Sequence, residues 1–435
     1  MKTLLILSHD LSIQWNTSLS EAALNDETIL PVYISDSKIE ELGGASLLWI
    51  RKSLEEMSRL LSIEQIPIFF THGDFIRIIH ELCKNNRCDG IRTQNVITPG
   101  RQTMLDEIRD YCSRSQIKFI CSEPNQLLSP EQLKTASVNF NQFSAFYEKM
   151  KLRSFEHHST GDLPEIAQIS QKEERYRYAS WEKDLAQHWD ISENAIEKLF
   201  VSNVSESPKS GEKISERGLS PYIRHGQASV REFWERSEDY NTERSEEFRR
   251  NLVWREFYTL SYLRRPWSRS RPFNDSFERF PWSPKWNDLL EWKLGKTGFS
   301  MIDAAMTQLW KTGWIPNNLR MLVADFLVKL KLINWGYGAQ WFMDTLVDAD
   351  EASNYSSWQW ITGTGGFNWP FLRIFNPLKK ARELDPDTSY RKKWLKDNDL
   401  YETEEFDDKN MELKYRDLRA RALSAYRTFN NSLKG

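Results

Sequence analysis

The period of the hydrophobic pattern changes along this chain, and that change limits the folds open to it. Up to residue 125, short apolar runs at 3–7, 29–34, 67–71, 90–93 and 117–121 alternate with longer amphipathic stretches at 45–62, 75–84 and 101–113. In the first of these stretches Leu47, Ile50, Leu54, Met57 and Leu61 recur at helical spacing. Strands alternating with helices predict a parallel, doubly wound α/β sheet. The turn after the first strand, SHDLSIQ, lacks the GxGxxG that cradles a dinucleotide, so a structural or docking role is the reading for this part.

From 126 to 190 the pattern weakens into a polar connection containing His157-His158 and the charged run 171–177. The histidine pair is read as solvated. A second loop, 205–216, is rich in Ser, Lys and Glu. After LSPYIRHG (219–226) the pattern is helical throughout, with helices predicted at 230–236, 246–264, 300–311, 318–331, 338–346 and 411–433. The expected organisation is a Rossmann-like domain at 1–125, an inter-domain linker at 126–190 and an all-α domain at 191–435. No internal repeat is present.

Net charge is -3, which gives no global signature for nucleic acid and leaves only local basic patches. No apolar run is long enough to span a membrane, and MKTLLILSHD reads as a first strand and not a signal peptide. Cys83, Cys88, Cys112 and Cys121 have no paired CxxC spacing, so a reduced, cytoplasmic protein without a zinc site is expected. Of 18 tryptophans, fourteen lie from Trp234 onward, while the last histidine is His225 and the last cysteine Cys121. Beyond 225 the chain therefore has no histidine base, thiol nucleophile or His/Cys metal ligand. Chemistry there is expected from a bound cofactor.

The densest functional stretch is 344–377, DTLVDADEASNYSSWQWITGTGGFNWPFLRIFNP. Asp350, Asn354 and Trp358 follow one another at i, i+4, on one stripe of a helix, and Asp348 is expected a little under two turns before Asn354 on the same helix. An acid and an amide in line with an indole suit a flat, hydrogen-bonding heterocycle; a buried polar cap on a Trp-rich core is the plainer alternative. NLVWREFY (251–258), WIPNNLRM (314–321) and RRPWSRSR (264–271) complement it.

WREFY, the ordered segment GKTGF…IDAAM…LW…GW…N.LRM…FLVK, then DADEASN…WQW…RIFNP and the closing RDLRARALSAY resemble the photolyase/cryptochrome flavoproteins, most of all a cyclobutane pyrimidine dimer photolyase. The resemblance implies FAD buried in the helical domain and light-driven repair by electron transfer from reduced FAD. It implies that Asn354 faces the reactive flavin nitrogen, where plant cryptochromes place an acid. It further implies that Asp348 pairs with Arg320, that Asp350 bonds the flavin edge, and that Ser220, Asn251, Arg255 and Asn317 line the cofactor. Trp358, Trp335 and Trp282 fall at the family's proximal, middle and surface electron-transfer positions. Trp254 and Trp360 match the pair that stacks a flipped-out dimer, with Met321 beneath it and the arginines of 264–271, with Arg249 and Arg250, on phosphates. Damaged DNA is the implied partner, and a monomer is expected.

This chain departs from the family at several positions. The glutamate three residues before Trp254 is Asn251, which cannot donate a carboxylic proton, and Asn318 replaces an arginine beside the dimer. The phosphate-binding motif survives only as ERGLS (216–220). Pro99-Gly100 stands where the family has Asn-Glu, which argues against a folate antenna. Pro316 occupies the histidine position of enzymes acting on (6-4) photoproducts, which with the missing histidines argues against that chemistry. Asn251 and Asn318 favour the alternative of a cryptochrome-like photoreceptor that signals to a protein partner without repair.

Overall fold

The structure, a computed structural model, describes residues 1–25, 27–36, 42–61, 68–139, 142–155, 163–167, 179–205, 214, 218–283, 285–364, 371–401, 406 and 408–433. His157-His158, the charged run 171–177, most of the loop 205–216 and Glu216-Arg217 lie outside the described residues. The chain divides into two compact units, Met1–Ser207 with Leu219–Arg264 and Val347–Ala349, and Pro208–Gly218 with Arg265–Leu346 and Asp350–Gly435.

The first unit is built on five parallel strands, β1 (Lys2–Leu7), β2 (Thr28–Ser35), β3 (Phe69–His72), β4 (Gly90–Gln94) and β5 (Lys118–Ser122). Their order is β3-β2-β1-β4-β5, and a two-residue strand, Glu165–Ile166, joins the start of β2. All five lie within two residues of the predicted runs, because strands buried on both faces are continuous apolar runs. Alternate residues serve opposite faces. Leu4 and Ile6 pack with α3 (Phe75–Asn86) and α4 (Pro99–Ser115), while Leu5 and Leu7 pack on the other face with α1 (Thr17–Leu24) and α2 (Gly44–Leu61). The sheet is thus doubly wound, as the alternation predicts. Helix α1 was not predicted, although Asn16 caps it by accepting from the Leu19 amide at 3.0 Å.

Between 126 and 190 the described residues carry α5 (Pro130–Asn139), α6 (Phe143–Met150) and α7 (Ser180–His188). Then follow α8 (Glu193–Val204), α9 (Ser220–Arg224), α10 (Val230–Glu238) and α11 (Glu243–Arg264). Helix α11 is pinned by Glu256, fully buried, whose carboxylate accepts from the amides of Leu127 and Leu128 at 3.1 and 3.4 Å. Burial pushes its pKa up, opposed by Arg255.

The second unit is helical: α12 (Trp286–Lys293), α13 (Ser300–Thr312), α14 (Asn317–Asp325), α15 (Trp335–Thr345), α16 (Glu351–Thr362), α17 (Pro377–Leu384), α18 (Ser389–Leu395) and α19 (Asp408–Ser432). The predicted helix 318–331 is interrupted by a π-turn at Phe326–Leu330. There Asp325 and Lys329, both fully buried, pair at 2.7 Å. Lys329 also donates to the Arg373 carbonyl at 2.7 Å, and Asp325 accepts from the Phe375 amide at 2.8 Å. The pair thereby holds RIFNP in place. No helix among the described residues is long and apolar enough to cross a membrane.

In the loop after β1, Asp10 is buried and accepts from the Ser8 amide at 2.8 Å. Burial, only partly offset by hydrogen bonds and Arg101, raises its pKa from 3.8 to about 6. A carboxyl that holds its proton more tightly when folded stabilises the fold fully below the unfolded value, and that stability is lost as pH rises through about 6. Unfolding free energies from denaturant titrations at pH 4 and pH 7 should show a loss of about 2 kcal/mol from this group. Asp10→Asn should lack that part of the slope.

Candidate functional site

The site is best followed from α16 outward. Asp350 caps this helix, its carboxylate accepting from the Ser353 amide at 2.8 Å, where a negative charge is favoured by the helix dipole. Asp348 therefore lies before the helix and not on it, contrary to the spacing argument. The stripe Asp350, Asn354, Trp358 stands, with the Asn354 amide bonded to the Asp350 carbonyl at 2.8 Å. Trp360 is two residues beyond Trp358 and so about 200° round the helix from it.

Asn354 and Trp358 are both buried, and both are positioned by α15. The Asn354 side-chain NH2 donates to the Ala339 carbonyl at 3.0 Å. That bond fixes the amide's orientation and leaves Oδ1 as an acceptor that takes no hydrogen bond among the described residues. A ring N–H is the group such an oxygen suits, which is the fit a flavin requires. One residue earlier in α15, a Cβ on Gly338 would come within 2.2 Å of the Trp358 ring. Only glycine lets the indole lie against the helix backbone there. Phe342 and Trp292 close on Trp358 edge to face, with centroids at 5.1 and 6.3 Å.

Trp335 is buried on α15, one turn before Gly338. Trp282 is half-buried at the edge of a cluster that includes Leu332, and the adjacent Ser283 amide donates to the Leu332 carbonyl at 2.7 Å. Leu332 itself takes the left-handed conformation, φ 59°. This bond ties the Trp282 segment to the chain three residues before Trp335.

At the start of α14, Asn317 is exposed, with its side-chain nitrogen 4.0 Å from the Met321 sulfur. Asn318 turns its side-chain oxygen back onto the Leu319 amide at 2.9 Å. The Arg320 guanidinium donates to the Ile315 carbonyl at 2.8 Å and lies 6.0 Å from the Trp314 ring.

Gln359, between the two tryptophans of WQW, escaped the sequence reading. Its side-chain nitrogen donates to the carbonyls of Ser268 and Arg271 at 3.0 and 2.7 Å, and its oxygen accepts from the Phe273 amide at 3.2 Å. The arginine-rich loop is thereby fastened to α16 beside Trp360, which is half-buried.

In the first unit, one short turn clamps the segment Val347–Ala349. Ser220 donates to the Asp348 carboxylate at 2.5 Å, Arg224 to the Ala349 carbonyl at 2.8 Å, and His225 Nε2 to the Val347 carbonyl at 2.8 Å. Arg224 and His225 were not foreseen as clamp residues; the only signal was their place next to Ser220. Arg255, half-buried on α11, donates to the Asn125 carbonyl at 2.8 Å. Asn251 is exposed one turn before Trp254. The Trp254 indole is half-buried and stacked on Phe143 of α6, centroids 3.6 Å apart and planes within 1°. Arg250 lies over Phe143 at 5.0 Å, whereas Arg249 is committed to the Ser237 carbonyl at 2.6 Å and to Glu246 at 3.2 Å.

Two family models match the chain: a DNA photolyase domain over residues 3–165 and the FAD binding domain of DNA photolyase over residues 248–427. A deoxyribodipyrimidine photo-lyase of Agrobacterium fabrum is 30% identical over 410 residues, 89% of this chain and 85% of that protein. Cryptochrome-1 of Arabidopsis thaliana is 25% identical over 89% of this chain and 61% of its own length. The solved structure of a bacterial class III photolyase from Agrobacterium tumefaciens superposes with a TM-score of 0.86 at 27% identity, covering 99% of this chain and 98% of that one. Both parts of the sequence thus lead to one conclusion: the chain belongs to the photolyase/cryptochrome family and carries that family's FAD-binding domain.

Proposed function

We propose that this chain is a light-dependent lyase that splits cyclobutane pyrimidine dimers in DNA. The observation that carries the reading is the anchored Asn354, whose remaining acceptor suits a flavin N–H, on the same stripe as an indole seated on Gly338. When bound, reduced FAD supplies under blue light the electron that opens the dimer ring. Ser220, Arg255, Asn317, Arg320, Asp348, Asp350 and Asn354 are the residues assigned to hold it, with Asn251 contributing an amide. Trp358, Trp335 and Trp282 are assigned as the route by which an electron reaches the buried interior, since each indole can lose and regain one.

Trp254 and Trp360 are assigned to stack an extracted dimer, each contact contributing about 1–3 kcal/mol. Extraction is favoured because a damaged pair is already weakened. Met321 is assigned beneath the dimer, and Arg265, Arg269 and Arg271 to phosphates. No histidine pair is required, in keeping with the absence of histidine after His225. The second reading, a photoreceptor without repair, is favoured by Asn251, an amide in place of an acid, and by Asn318, whose oxygen is spent on its own helix.

Illuminating reduced protein with a dimer-containing oligonucleotide should restore thymine absorbance. No restoration, with flavin bound and photoreducible, leaves the photoreceptor. Asn251→Glu should raise the repair rate; a fall would overturn the role given to that position. Trp254→Ala and Trp360→Ala should each weaken binding of the dimer-containing oligonucleotide about 5- to 150-fold, read by titration. Gly338→Ala should push Trp358 aside, lower thermal stability by about 1–3 kcal/mol and slow flavin photoreduction.

A further inference from the structure

Helix α3 ends in a turn in which Arg87 is left-handed, φ 54°, and the Cys88 amide donates to the Cys83 carbonyl at 3.0 Å while the Arg87 amide reaches the Lys84 carbonyl at 3.4 Å. This closure brings the side chain of the fourth residue from the helix end against that of the second residue past it, a contact usually made by two apolar groups. In this chain both are cysteine, and both lie within the core cluster on the α3/α4 face of the sheet. We propose that Cys83 and Cys88 form a redox-active pair that closes reversibly to a disulfide under hydrogen peroxide, stapling the end of α3 to the residue two before β4.

Cys88 is the attacking thiol. It is the less buried of the two, and its neighbour Cys83 and the charge of Lys2 lower its pKa against the opposing effect of burial, whereas burial pushes Cys112 and Cys121 up to about 11. The Cys88 thiolate attacks one peroxide oxygen, the O–O bond breaks, and with one proton the other oxygen leaves as water, giving a sulfenic acid. The Cys83 sulfur then attacks the Cys88 sulfur, and hydroxide departs as water with the Cys83 proton. Two thiols are oxidised and one peroxide is reduced to two waters. The pairing needs no rearrangement of the sheet, because the six-residue turn already sets both side chains together.

Lys84 and Arg87 lie between the two cysteines, so trypsin places them in separate peptides, 78–84 and 88–92. The full chain, treated with hydrogen peroxide, alkylated and mapped without reductant, should yield these two peptides joined, and dithiothreitol should separate them. Peroxide consumption by thiols should fall about tenfold in Cys88→Ser and stay unchanged in Cys121→Ser. Cys83 joined instead to the Cys112 peptide, or oxidation at Cys121 with peptides 78–84 and 88–92 unjoined, would overturn the proposal. The wild-type map decides the matter even where Cys88→Ser fails to fold.

Discussion

Two neighbouring residues of α15 receive two residues of α16 one turn apart, and most of the helical site depends on that fit. Gly338 lets the Trp358 indole reach the helix backbone, and Ala339 offers the carbonyl that holds the Asn354 amide. A side chain at 338 would lift α16 away and release the amide as well, since the hydrogen bond needs the same close approach. The position of the indole and the polarity of the amide are therefore set by one steric condition. Trp335, one turn from Gly338, shares the same helix and so the same constraint.

A second constraint is electrostatic. Asp325 and Lys329 sit without solvent inside the π-turn, where burial pushes the acid up and the base down and each opposes the other's shift. Such a pair gains little net stability over apolar residues, but removing one partner strands the other. Its hydrogen bonds to the backbone at Arg373 and Phe375 make it a fixed attachment for a segment without regular structure. The π-turn supplies the geometry, since a widened turn frees carbonyls and redirects side chains.

The sheet was legible in the sequence because parallel strands buried on both faces must be apolar throughout, as Leu4 to Leu7 and Ile29 to Ile34 are. Helix α1 was overlooked because its eight residues are too few for a clear period, although the cap at Asn16 was present. In the site, i, i+4 spacing placed Asp350, Asn354 and Trp358 correctly on one stripe. It failed for Asp348, because the clamp from Ser220, Arg224 and His225 is tertiary and leaves no trace in local spacing. Gln359 was missed for a similar reason. A single glutamine has no periodicity, and its importance lies in three backbone groups distant in sequence.

Gln359 also bears on the entropy of binding. A loop that carries cations for a polyanion ordinarily gives up conformational freedom when it engages, and that loss subtracts from affinity. Here the backbone of 268–273 is already held at Ser268, Arg271 and Phe273 by one amide on a buried helix face. The loop backbone is held in advance, so a polyanion bound there would leave only the arginine side chains to be immobilised.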